Sequence, residues 1–257
     1  MILQGKTALV TGSTSGIGLG IAIELAKQGA NIVMNGFGDV DGAKAQIAAQ
    51  GVKVEYHGAD MSKPAEIEDM MKSATAAFGG VDVLVNNAGI QFVSNVEDFP
   101  TERWDAIIAI NLSSAFHTTR LALPHMQQQK WGRIINIASV HGLVASAGKS
   151  AYVAAKHGLI GLTKTVALET AKTGVTCNAI CPGWVLTPLV QKQIDDRAAR
   201  EKISVEDATR ELLQEKEPSL KFTTPEQLGG LAVFFCSPAT DNVTGQSWAS
   251  DGGWSAQ

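Results

Sequence analysis

The chain of 257 residues is 45% hydrophobic and 18% charged, values of an ordinary soluble globular domain that exclude a disordered or fibrous protein. Its net charge of −4 comes with no long basic block, which argues against nucleic acid and anionic membrane surfaces as partners. No leader pattern opens the chain and no apolar run reaches the ~18 residues of a membrane span, so a cytoplasmic protein is expected. The odd number of cysteines, Cys177, Cys181 and Cys236, all in apolar segments, predicts buried free thiols.

Residues 6–11 are apolar and β-branched and predict a first strand. A turn with Gly12, Gly16 and Gly18 follows and opens a helix over 17–29, whose apolar side is Ile17, Ile21, Leu25 and Ala26. Glycines between a strand end and a helix start let backbone N–H groups approach a pyrophosphate. Strand, turn and helix in that order point to a bound nucleotide. Residues 31–35 predict strand two. At such a strand end an acid would accept from a ribose 2′-hydroxyl, and an arginine would pair with a 2′-phosphate. Here the chain reads Asn35-Gly36-Phe37-Gly38, with neither group. NAD is therefore expected over NADP, with Phe37 as a packing face for the adenosine.

Strand three is predicted over 52–57 and leads to Asp60, placed either to accept from an adenine amino group or to close a turn. A helix over 64–78 and a strand over 81–85 lead to Asn86-Asn87-Ala88-Gly89. A helix around Asn111 is expected to run to about residue 129, with Leu121, Leu123 and Met126 marking a core or interface face. Residues 133–138 predict a buried strand with Ser139 at its end, and a long helix starts near Ser150.

Tyr152 and Lys156 are four residues apart on that helix and share one face, directed toward Ser139. A free phenol has a pKa of about 10 and is a poor base at neutral pH. A neighbouring ammonium favours the phenolate and makes it a usable general acid/base. Ser139 would hydrogen-bond the oxygen being oxidised or reduced. The same spacing also suits an amphipathic helix with a surface lysine, so the pair gains its meaning from the rest of the chain.

Residues 175–181 predict strand six, ending in Pro182-Gly183-Trp184. Residues 191–217 differ in kind: 14 of the 27 are charged, in two short helical patterns over 189–201 and 205–215. A helix over 225–235 and a strand with its turn over 246–253 complete the chain.

Together, Thr11-Gly-x-x-x-Gly-Ile-Gly18, Asp60, Asn86-Asn-Ala-Gly89, Ser139 and Tyr152-x-x-x-Lys156 resemble the short-chain dehydrogenase/reductase family, in family order over nearly the whole chain. The resemblance implies a single Rossmann-type α/β domain over 1–257: a doubly wound parallel sheet with a small helical substrate lid inserted at about 187–220. It implies hydride transfer, with Asn111, Ser139, Tyr152 and Lys156 as the catalytic set, Asn111 holding a water that relays protons to the lysine. The cofactor residues it implies are Gly12, Thr14, Ser15, Gly16, Ile17 and Gly18, then Phe37, Asp60, Met61, Asn87, Gly89 and Leu112. Tyr152, Lys156, Pro182, Gly183, Val185, Thr187 and Leu189 complete them. A homotetramer is expected and no metal.

Gln91, His141, Lys149 and Gln193, if they converge near Ser139 and Tyr152, would form a small pocket for one carboxylate, since an ammonium and amide donors suit that anion. The wider pattern, with Trp184, resembles family members that oxidise D-3-hydroxybutyrate. A small anionic 3-hydroxy acid, or the matching 3-oxo acid, is therefore the expected partner. Two rival readings stand beside it. One is a 3-oxoacyl-thioester reductase using NADPH, which would need an open channel and no Lys149. The other is a catalytically silent NAD(H)-sensing protein, which would have no use for the Ser-Tyr-Lys-Asn set.

Overall fold

Strands made of continuous apolar runs are stable only where helices cover both faces of the sheet. The computed structural model, which describes residues 1–256, obeys this rule. Seven parallel strands are present: β1 Thr7–Val10, β2 Asn31–Asn35, β3 Val54–His57, β4 Val83–Asn86, β5 Gly132–Ile137, β6 Val175–Pro182 and β7 Ser247–Ser250. They lie in the order β3-β2-β1-β4-β5-β6-β7. The helices are α1 Gly16–Lys27, α2 Val40–Ala48, α3 Pro64–Phe78, α4 Thr101–Ile108, α5 Ser114–Gln129, α6 Ser150–Thr170, α7 Pro188–Glu201, α8 Val205–Gln214 and α9 Pro225–Phe235.

Successive strand residues point to opposite faces, and the two cores follow that alternation. Ala8 and Val10 of β1 and Val83 and Val85 of β4 pack with Ile21 and Leu25 of α1, Ile47 of α2 and Phe235 of α9. Leu9 and Leu84, one residue out of step, pack on the other side with Met70 of α3, Met126 of α5 and Val166 of α6. β1 has β2 on one side and β4 on the other, so the winding direction reverses between β1 and β4. In open sheets that reversal leaves a crevice beyond the strand C-termini, where ligands bind.

The expected class is the observed one, and helices α7 and α8 fall close to the two ranges predicted for them. Two local features differ. Helix α2 was not anticipated; its signal is Asp39, whose carboxylate caps the helix by accepting from the Gly42 N–H at 2.9 Å. The helix expected around Asn111 is two helices, α4 and α5, joined by a π-helical turn at Ala109–Ser113, a local form common at functional sites. Met126 is fully buried and Leu121 and Leu123 pack beside it, so that face of α5 is core. The three thiols are free and buried, and burial pushes them up to about 12, 11 and 12 for Cys177, Cys181 and Cys236. Among the described residues no helix is long and apolar enough to cross a membrane.

Candidate active site

A cavity of about 1010 Å³ lies along the C-terminal strand ends, at the upper end of the usual range for ligand sites. Its floor begins in the turn between β1 and α1, where Gly12 and Gly16 take φ values of +64° and +52°, the left-handed region that only glycine enters freely. Gly18 is needed for a different reason. A Cβ there would strike the Gly12 carbonyl oxygen and the Asn87 amide. Asn87 braces the same turn: its Nδ2 donates to the carbonyls of Thr11 at 2.9 Å and Gly12 at 3.0 Å. The Thr11 hydroxyl accepts from the N–H groups of Asn87 and Ala88, both at 3.0 Å. The cavity therefore opens on the exposed start of α1, whose first N–H groups have no helical partner and suit a phosphate.

At the end of β2, Asn35 is 1% exposed and fully committed. It donates to the carbonyls of His57 at 3.0 Å and Ala59 at 2.9 Å, and accepts from Gly12 N–H at 3.4 Å. This asparagine ties the glycine turn to β3. Beyond it Phe37 lines the cavity and is 66% exposed. Among the lining residues the lysines are Lys149 and Lys156, and neither lies beside Phe37 in sequence; no arginine lines the cavity. Asp60 lines it too, but its Oδ1 accepts from the N–H and hydroxyl of Ser62 at 2.9 and 2.7 Å, closing a turn. Those bonds, Ser62 hydroxyl first, hold its carboxyl below the usual range.

Ser139, Tyr152 and Lys156, the residues expected to move the proton, line the cavity where β5 ends and α6 begins. Ser139 is 7% exposed, and its hydroxyl accepts from the His141 N–H at 3.2 Å. Burial pushes the Tyr152 phenol pKa up, and the neighbouring Ser139 hydroxyl opposes that push. Lys156 is 3% exposed and donates to the Ile137 carbonyl at 2.7 Å, with its nitrogen 5.5 Å from the Tyr152 ring centre. Burial lowers its pKa to about 8. The expectation that Lys156 pulls the phenol down is not what governs here: burial is the largest influence on Tyr152 and raises it.

The far end of the cleft gathers the groups expected to hold an anion. Lys149 caps the start of α6, and Gln91, on the loop after β4, and Gln193, on α7, line the same cavity. Burial first, then Lys216, lowers the Lys149 pKa. His141 is 5% exposed; its Nε2 lies 3.1 Å from the Ser146 hydroxyl, and its ring meets Trp254 edge-on at 5.1 Å and Tyr152 at 5.9 Å. Burial, followed by Lys149 and Lys216, lowers its pKa from 6.5 to about 4. A histidine neutral in the fold and protonated once unfolded destabilises the protein between those values. As pH falls from 6.5 toward 4, His141 should cost on the order of 2–3 kcal/mol of stability. Urea midpoints across that window would show it as a loss that His141→Gln lacks; equal slopes for both proteins would refute it.

Most residues expected to meet the cofactor line this one cavity: the glycine turn, Phe37, Asp60, Met61, Asn87, Gly89, Pro182, Gly183, Val185, Thr187 and Leu189. Leu112 does not. Its Cδ2 fills the slot left by Gly158 on α6, and it packs in the core beside Leu159. The Asn111 side chain is also off the cavity wall, 2% exposed, with Oδ1 accepting from Ile90 N–H at 2.9 Å and Nδ2 donating to Ile90 O at 3.0 Å. It therefore bonds a distant loop, not its own helix. Trp254, which the sequence reading missed, lines the cavity against His141; its only local signal is an aromatic just after the Asp251-Gly-Gly turn.

The family model for short chain dehydrogenases matches residues 6–198. The chain is 71% identical over 258 residues to a D-beta-hydroxybutyrate dehydrogenase of Cupriavidus necator, covering 100% of both chains. It is 57% identical over 256 residues to a D-beta-hydroxybutyrate dehydrogenase of Rhizobium meliloti, covering 98% of this chain and 99% of that one. Among solved structures, an actinorhodin polyketide ketoreductase with NADPH superposes with a TM-score of 0.91 at 32% identity, covering 98% of each chain.

Proposed function

The chain belongs to the short-chain dehydrogenase family, and from that premise we propose that it oxidises (R)-3-hydroxybutyrate reversibly to acetoacetate with NAD. The observation that carries the substrate reading is Lys149: a partly buried ammonium, its pKa lowered by burial, lining the same cavity as Ser139 and Tyr152. Among the described residues no carboxylate pairs with it, and a substrate carboxylate would supply that partner.

The glycine turn, Asn87 and the exposed start of α1 would hold the pyrophosphate, and Phe37 the adenosine. The region around Asn35–Gly38 has no cation to pair with a 2′-phosphate, which favours NAD. A nicotinamide held there would supply the hydride acceptor for substrate C3. Tyr152 takes the hydroxyl proton, Ser139 steadies the oxygen, and Lys156 holds positive charge behind the phenol. Asn111, its amide bonded to the Ile90 backbone, supports the proton relay to Lys156. Lys149, Gln91, Gln193 and His141 hold the carboxylate, with Trp184 shaping the pocket. Helices α7 and α8 act as the lid. The reading extends to a homotetramer: Phe116 on α5 and Leu168 on α6 are 48% and 81% exposed, apolar groups suited to faces covered by other copies.

NADH formation with R- and S-3-hydroxy acids, each with NAD and NADP, tests the reading. Turnover is expected with NAD and (R)-3-hydroxybutyrate. Turnover confined to thioesters with NADPH would overturn it, as would NADH binding with no turnover on any hydroxy acid.

A further inference from the structure

Glu217 lies three residues beyond α8, is 1% exposed, and takes no part in the chemistry above. Its Oε1 accepts from the backbone N–H of Trp184, while Oε2 is buried with no hydrogen-bond partner among the described residues. A carboxylate in such a place is costly unless it serves a contact. The space around it is closed. A Cβ at Gly183 would collide with Oε1, and one at Gly252 would lie 3.1 Å from Oε2. The segment carrying it is fastened again at Ser219, whose N–H donates to the Gly252 carbonyl at 3.0 Å.

Trp184 is shared between two structures. It packs against the small core of the lid, formed by Val190, Ile194 and Ala198 of α7 and Ala208 of α8. It also lines the cavity, with its ring centre 6.0 Å from the Lys149 nitrogen. One hydrogen bond accepted by Glu217 thus holds a residue that belongs both to the lid and to the anion end of the cleft. We propose that Glu217 is a positioning residue: it fixes Trp184, and the lid helices packed on it, against the cleft and so limits the length of 3-hydroxy acid admitted. The inference rests on the reading of this site as a 3-hydroxy acid dehydrogenase.

In Glu217→Ala the Trp184 N–H loses its acceptor and space opens behind the tryptophan. The KM for (R)-3-hydroxybutyrate should rise about tenfold, with kcat held within about threefold. The preference over (R)-3-hydroxyvalerate should fall by a similar factor, about tenfold, while NADH affinity stays unchanged. Glu217→Gln keeps an oxygen at the same place and should rescue KM and selectivity. Glu217→Asp withdraws the acceptor but keeps the charge, should show the same KM shift, and serves where the alanine variant does not fold. Unchanged KM and chain-length selectivity in the Ala and Asp variants would overturn the inference. So would equal losses in the Gln and Ala variants, or a parallel fall in NADH affinity. Wild-type kinetics separate the two readings: no oxidation of any hydroxy acid by wild type sinks the site assignment and the inference with it. Normal wild-type turnover with unaltered Ala and Asp variants sinks the inference alone.

Discussion

Tyr152→Phe should lower turnover of (R)-3-hydroxybutyrate about 10³-fold while NADH binding is retained, the size of effect expected when a positioned proton acceptor is removed. The phenylalanine keeps the ring, so packing against His141 at 5.9 Å and the position of Lys156 survive. What is lost is the phenol oxygen, the group that Ser139 influences. Burial raises the phenol pKa, so phenolate is scarce near neutral pH and the oxidation rate of the wild type should climb with pH. The residual rate of the variant should not. His141 is the rival base, since it is kept neutral and its Nδ1 lies 3.4 Å from the Ser139 hydroxyl. If Tyr152→Phe keeps more than about a tenth of wild-type turnover, the proton goes elsewhere, and His141 is the first place to look.

Lys149→Ala should raise the KM for (R)-3-hydroxybutyrate about 10- to 100-fold, because a charge-assisted bond to a substrate anion contributes roughly 1.5–3 kcal/mol. The effect should fall on substrate and spare the cofactor: the KM for NAD should stay as it is. Burial and Lys216 both disfavour the ammonium in the empty cleft. A bound carboxylate offsets that penalty, so substrate and proton should bind Lys149 together. The backbone of Lys149 caps α6 and bridges Ser94, contacts that the alanine variant keeps. Initial-rate kinetics decide the matter. An unchanged KM would remove Lys149 from the anion pocket and reopen the thioester reading, in which that lysine has no task.

The strands were legible in the sequence because a parallel sheet covered on both faces demands continuous apolar runs, and residues such as 133–138 and 175–181 could do little else. The Tyr152–Lys156 pair was legible because helix periodicity alone puts residues four apart on one face. Helix α2 was passed over because its apolar stripe is only Ala43 and Ile47, too short to stand out. The break of the Asn111 helix was not visible either, since a π turn adds one residue to a pattern that otherwise reads as helix.

What the sequence by itself determined was local: the order of strands and helices, the glycine turn, and the chemical types gathered at the strand ends. The tertiary structure alone decided which side chains face the cleft and which are held behind it. The Asn111 amide is closed on Ile90, 21 positions away, a partner that its own helix does not reveal. Leu112 turns inward because Gly158, far along the chain, leaves room for it. Trp254 and Glu217 gain their roles only from contact with His141 and Trp184. The physical reason is the same in each case. A backbone period specifies direction within one element, whereas a buried polar group takes its partner from whatever segment packs against it. For Glu217 that partner is 33 residues away in the chain.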